Sequence, residues 1–293
     1  MERNELKARI YSRIDELPTL PVVIPRLLSL MDDPKTGTRE ITEAISHDTA
    51  LTAKILKVAN SAYYGFSQEI SRLDRAVALL GFNMVKSLAL SVGVIKAMPK
   101  AKDAGLFSRE GLWIHNLAVG TAVKMVAERL GKGEEAERLF VVGLLHDIGK
   151  VVLDLFFSDD FARALEQVLE RVNDGGGTQL YEMERKNIGL DHGEVGGILL
   201  ERWKFPGMIR MPIAFHHQDV LPGDIDLVDF SMLKISDALV QEMALGNSGN
   251  ASPPRVREAD MERLGIDQKA IGEIKDQIAL ARDGIFAFLG AIN

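Results

Sequence analysis

The chain has 293 residues, longer than one compact core usually runs, so an internal seam is expected. Hydrophobic residues make up 46% and charged residues 26%, the balance of a folded globular protein rather than a disordered one. A formal charge of -7 withholds the general attraction to phosphate backbones, and DNA is not expected as a partner.

Cys is absent, which excludes disulfides, thiolate zinc sites and a cysteine nucleophile, so any metal must be held by His and carboxylates. This suits a reducing cytosol. The first residues, MERNELKARI, are charged, and no later stretch approaches the roughly 20 uncharged apolar residues of a membrane span. Export and membrane insertion are not expected, and the expected location is cytoplasmic.

Apolar residues recur at steps of three and four while strand-like alternation is hard to find, which predicts an all-α fold. The predicted helices cover 2–16, 20–32, 38–46, 49–61, 71–80, 82–97, 107–130, 134–155, 159–173, 178–187, 192–203, 207–217, 225–245 and 268–290. Breaks fall at 98–105, at 173–177 and at the Gly, Asn, Ser and Pro cluster of 246–254. The first divides two packed helical bundles, 1–104 and 105–293. The last reads as a surface loop leading to a closing C-terminal helix.

The dipeptide His-Asp occurs twice. His47-Asp48 precedes TALTAKILKVAN, where Asp48 is placed to cap the next helix through its exposed amides. The paired short helices in ITEAISHDTALTAKILKVANS also allow a helix-turn-helix reading, but the acidic chain and the apolar second helix favour core packing. AYYGF at 62–66 gathers aromatics and Gly after a helix, and reads as a packed terminus rather than a recognition surface.

His115 shares its helical stripe with Leu112, Val119, Ala122 and Val126, so its imidazole points inward. His146-Asp147 ends the apolar run LFVVGLLHDIGK, where an unpartnered carboxylate would be costly to bury. A cation would satisfy both side chains, and a hydrogen-bonded His–Asp pair would meet the same need.

His192 follows Asp191, a predicted N-cap, with Glu194 completing a capping-box pattern, and its face continues through Val195, Leu199 and Trp203. His216 and His217 diverge by about 100° on a helix, which serves two metals, or a metal and a substrate, better than one shared position. Asp237 lies at helical spacing from Leu233 and Val240, again where burial is expected. Each residue taken singly has a structural explanation; together, in the order His, His-Asp, His, His-His, Asp, they converge on a metal site.

That ordered series, with HDIGK at 146–150, resembles the HD superfamily of metal-dependent phosphohydrolases, an all-helical fold. LPTLPVVIPRLLSLMDDP, ISHDTALTAKILKVANSAYYG and ISRLDRAVALLGFNMVKSLALSV closely resemble the HDOD family, and the similarity covers about residues 17 to 245. The resemblance implies an HD-like C-terminal bundle and a bacterial signalling or regulatory output role. Many HDOD proteins have lost ligands; the series here looks more like the HD-GYP cyclic di-GMP phosphodiesterases. Matching positions imply His115, His146, Asp147, His192, His216, His217 and Asp237 as metal ligands, Lys150 as the phosphate-facing cation, and Asp147 with Lys150 as the catalytic pair.

Two departures stand out. HHQDVLPGD occupies the stretch in which HD-GYP enzymes carry Gly-Tyr-Pro, and Gly111 stands where a carboxylate would precede the first His by one turn. Glu110 is adjacent, the one nearby carboxylate that could reach.

Two functions follow from the resemblance. As a regulatory module, the metal braces the helices while the first bundle binds other signalling proteins. As an enzyme, one or two divalent transition metal ions (Fe, Mn, Zn, Ni or Co) bridged by Asp147 act on a nucleotide or cyclic dinucleotide. His115, His146 and Asp237 would hold one ion, and His192, His216 and His217 the other. The sequence favours regulation over catalysis, because the resemblance is clearest in the segment peculiar to HDOD proteins and the substrate signature is missing.

Overall fold

A computed structural model describes residues 3–31, 38–99, 106–175, 177–218, 221–223 and 226–292. Among the described residues there are sixteen α-helices and no strand element, as the three-and-four periodicity predicts. The first six are α1 (Arg3–Ile14), α2 (Val23–Met31), α3 (Thr38–Ser46), α4 (Thr49–Ala59), α5 (Leu73–Leu80) and α6 (Phe82–Ala97). The boundary expected at 104/105 lies outside the described residues.

The remaining helices carry the candidate site: α7 (Arg109–Arg129), α8 (Ala136–Leu145), α9 (Ile148–Phe156), α10 (Ser158–Asn173), α11 (Leu180–Asn187) and α12 (His192–Arg202). They continue with α13 (Gly207–Phe215), α14 (Leu227–Glu242), α15 (Glu258–Leu264) and α16 (Gln268–Ile292). No single described helix is long and apolar enough to cross a membrane.

Local signals act where the sequence places them. Asp48 accepts a hydrogen bond from the Leu51 amide at 2.9 Å and caps α4, whose Leu51, Ile55, Val58 and Ala59 are buried in the core. Asp191 and Glu194 form the capping box that starts α12. His47 is exposed and remote from the other histidines in role, its nearest carboxylate being Glu43 at 4.0 Å.

The AYYGF segment is a packed terminus. Tyr63 lies edge-on to Phe288 of α16 with ring centres 5.2 Å apart, and its hydroxyl is 3.0 Å from that of Thr121 on α7. Lys54 and Lys57 of α4 donate to the Ile292 and Gly290 carbonyls, satisfying the unpaired end of α16 and favouring its dipole. The C-terminal helix thereby joins the N-terminal helices to α7.

Two expectations need correction. The single helix predicted over 134–155 is two, α8 and α9, because the chain leaves helical hydrogen bonding at His146 and Asp147. Apolar residues continue on both sides of that break, and Gly143 before it lies inside α8 rather than ending it, so periodicity alone does not reveal the break. The loop expected at the surface over 246–254 instead turns inward at Ser248, which is buried, and leads first to α15, a helix the sequence reading missed.

Candidate metal centre

The break between α8 and α9 gives the site its centre. Helical geometry stops at Asp147, so its carboxylate projects between neighbouring helices rather than along one. α9 then runs against α12 at Gly149, where an added Cβ would stand 1.9 Å from the His192 carbonyl oxygen and 2.7 Å from the Gly196 amide. Only hydrogen at this position lets the two ligand-bearing helices approach so closely.

The seven expected ligands are brought together. Asp147 Oδ1 lies 2.9 Å from His192 Nε2 and 3.9 Å from His216 Nε2. Its Oδ2 faces the other way, 3.4 Å from His146 Nε2 and 3.6 Å from His115 Nε2. Asp237 Oδ1 is 3.1 Å from His115 Nε2 and 3.7 Å from His146 Nε2, while His217 Nε2 is 2.8 Å from His192 Nε2. The ligand atoms form two groups, each within 4.8 Å: His115, His146 and Asp237 in one; His192, His216 and His217 in the other. Asp147 stands between them.

Partners on the far side of the rings fix their orientation. His146 and His216 donate from Nδ1 to the Gly143 and Ile213 carbonyls, each at 2.7 Å, which leaves the lone pair on Nε2. His192 Nδ1 is 2.6 Å from Glu184 Oε2, which also accepts from the His192 amide at 2.8 Å. Such outer partners are what set a ligating imidazole's tautomer and basicity. Tyr181 stacks on His217 with ring centres 4.2 Å apart, and Arg185 donates to both Asp191 and the His217 carbonyl.

Lys150 is 1% exposed, a cation with almost no water of its own. It donates to Asp147 Oδ2 at 2.6 Å and to the Ser248 carbonyl at 2.7 Å. The loop that supplies this carbonyl is pressed against α7 at Gly246, where φ is +77° and an added Cβ would lie 2.3 Å from the His115 amide nitrogen. Asn247 then donates to the Gly111 carbonyl at 2.8 Å. This loop occupies the surroundings of Gly111, and Glu110, the neighbouring carboxylate, is exposed outside the cluster.

Charge in the cluster is uneven. Burial and neighbouring imidazoles hold His216 and His217 well below the ordinary imidazole range, and burial lowers His115, so these three are neutral donors. Burial disfavours the carboxylates too, but the surrounding imidazoles, together with Lys150 at Asp147, keep Asp147 and Asp237 well below the usual carboxylate range. Burial also works against charge on His146 and His192. The carboxylates outweigh it, raising His146 and, through Glu184 and Asp147, taking His192 up to about 9.

A divalent cation fits this set on two counts. The buried Nε2 atoms of His115, His146 and His216 have no hydrogen-bond partner among the described residues, although unsatisfied buried polar atoms are costly. Imidazoles, three of them held neutral, and ionised carboxylates converging from separate helices are also the donor chemistry that first-row divalent metals prefer. A cavity of about 340 Å³ reaches the cluster, lined in part by His216, His217 and Asp237.

The HDOD domain model matches residues 17–219. The chain belongs to the HDOD family. Two curated relatives are uncharacterised proteins: one from Treponema pallidum is 26% identical over 216 residues, and YuxH of Bacillus subtilis is 37% identical over 146. The chain's match spans 74% and 47% of its own length but 40% and 35% of theirs.

Among solved structures, an HDOD domain protein of unknown function from Geobacter sulfurreducens is 27% identical, with a TM-score of 0.81 and 98% of each chain covered. A proposed phosphohydrolase from Shewanella amazonensis shares the fold at 23% identity and a TM-score of 0.72, over 97% of this HDOD chain and 98% of the other. A proposed signal transduction protein from Marinobacter aquaeolei shares it at 23% and 0.78, covering 94% of this chain and 60% of its own.

Glu184, Arg185, Tyr181 and the Ser248 carbonyl were not singled out from the sequence. Glu184 carried one usable signal, its place one turn after Leu180 on an otherwise polar helix, and it is fully buried.

Proposed function

We propose that this HDOD protein is a metal-dependent phosphohydrolase acting on a nucleotide or nucleotide-like phosphoester in a bacterial cytosolic signalling setting. The observation that carries the reading is the division of the ligands into two groups about Asp147, with a cavity reaching the cluster. A site that only braced helices would not need an open approach to its donors.

His115, His146 and Asp237 would hold one ion, His192, His216 and His217 a second, with Asp147 between them. Fe, Mn, Zn, Ni and Co all suit these donors. The chemistry that divalent cations supply in such a setting is Lewis-acid polarisation of a phosphoryl oxygen and a lowered pKa for water.

The chain's own residues supply the rest. Lys150, held between Asp147 and the Ser248 carbonyl, would add a buried positive charge behind Asp147 that offsets negative charge developing at the centre. Backbone carbonyls and Glu184 keep the imidazoles aimed, so little reorganisation is needed during reaction. Burial of the cluster limits access to the side of the cavity.

Elemental analysis of freshly purified protein, combined with turnover across a panel of nucleotides and cyclic dinucleotides, tests this. The expected result is bound metal with turnover that Asp147→Ala abolishes. Metal without turnover on any substrate would overturn the catalytic reading in favour of a regulatory module that docks other signalling proteins. That second reading is favoured by α16, which ties the N-terminal helices to ligand-bearing α7 through Tyr63, Lys54 and Lys57.

A further inference from the structure

The cavity that reaches the cluster is lined by more than metal-ligand candidates. Leu233, Ile235, Pro254 and Val256 supply apolar wall, and Lys234, Arg255 and Arg257 also line it. Two carboxylates, Asp237 and Asp260, share the lining with these three cations, and Arg257 is itself paired with Asp260. The carboxylate beside them, Asp260, is already committed, accepting from Arg257 at 2.7 Å, Ser231 at 2.8 Å and Arg263 at 3.3 Å. Arg255 is exposed, on the loop between α14 and α15.

We infer that these basic side chains form a phosphate subsite, so that the cavity takes a small phosphoester carrying a second phosphate group. One phosphate lies against His216, His217 and Asp237, and the other meets Lys234, Arg255 and Arg257. A guanidinium presents a planar fork of donors that matches phosphate oxygens. A volume of about 340 Å³ sits at the small end of ligand pockets, which run from about 300 to 1,000 Å³, and suits a compound of single-nucleotide size. The inference rests on the reading that this cavity serves the metal centre, and adds what its ligand must carry.

Calorimetric titration of the metal-loaded full chain with adenosine 5′-monophosphate and adenosine 3′,5′-bisphosphate tests it without relying on turnover. The bisphosphate is expected to bind about tenfold more tightly. Arg255→Glu is expected to remove that preference, and Arg255→Ala, which introduces no opposing charge, to weaken it in the same direction. Equal affinities in the unaltered protein, a preference that survives Arg255→Glu, or no binding of either compound would overturn the subsite. A preference without turnover on any substrate would leave the subsite standing and remove only the hydrolase reading; turnover of monoesters without a preference would do the reverse.

Discussion

His192 Nε2 and His217 Nε2 lie 2.8 Å apart, two nitrogens from separate elements directed at one another. Glu184 holds the first ring from behind, and Tyr181 and Arg185 hold the second. Glu184→Gln keeps the shape of this support but removes its negative charge. A loss of metal affinity on the order of 10- to 100-fold is expected, measured by competition with a chelator. Unchanged affinity would show that Glu184 serves packing alone.

Arg185 connects the two rings indirectly. It donates to Asp191, which caps the helix carrying His192, to the His217 carbonyl, and lies over Tyr181 with its guanidinium carbon 4.9 Å from the ring centre. Arg185→Ala is expected to reduce metal at the His192, His216 and His217 group before the other. Metal-to-protein stoichiometry during chelator titration would show this as an early loss of one class of ion; a single uniform loss would contradict it.

Asp147 and Lys150 form a buried pair, so removing one member leaves the other uncompensated. Asp147→Ala is expected to cost about 3 to 5 kcal/mol of unfolding free energy in metal-free protein. Asp147→Ala combined with Lys150→Met should recover most of that stability and none of the turnover. Urea denaturation of both single variants and the double variant closes the cycle, and additive losses would refute the coupling.

Asp260 offers a pH test away from the ligands. Burial opposes its charge, but hydrogen bonds from Arg257 and Ser231 outweigh it and lower its pKa below the ordinary 3.8. A depressed folded value means that its contribution is full above the unfolded pKa and fades as pH falls through the folded one. Asp260→Asn is therefore expected to cost about 1 to 3 kcal/mol at pH 7. The deficit should shrink below the ordinary carboxylate pKa, as urea melts at neutral and acidic pH would show. A constant deficit would mean that the loss comes from packing.

How much of this was legible in the sequence depended on the surroundings of each residue. His146 and Asp147 stood out because an apolar run makes polar side chains conspicuous, and the caps at Asp48 and Asp191 were local patterns that act locally. Glu184 was hidden by its neighbours: in LYEMERKN it is one charged residue among several, and only the packed fold distinguishes it as buried. The break at 146–147 was hidden for the opposite reason, since residues on both sides are apolar and continue a helical pattern. The inward turn at Ser248 depends on contacts with α7 and α9, remote in sequence, and composition there gave only a loop.

The grip on Lys150 from the 246–249 loop comes from a main-chain oxygen, and such an atom is present whatever amino acid occupies position 248. Removing the Ser248 side chain would cost the bond its hydroxyl accepts from the Asn250 amide, but the path of the chain at Gly246 decides whether the carbonyl oxygen arrives. Inheritance of this contact is therefore recorded two positions away, in the glycine that lets the chain pass, and not in the residue that supplies the oxygen.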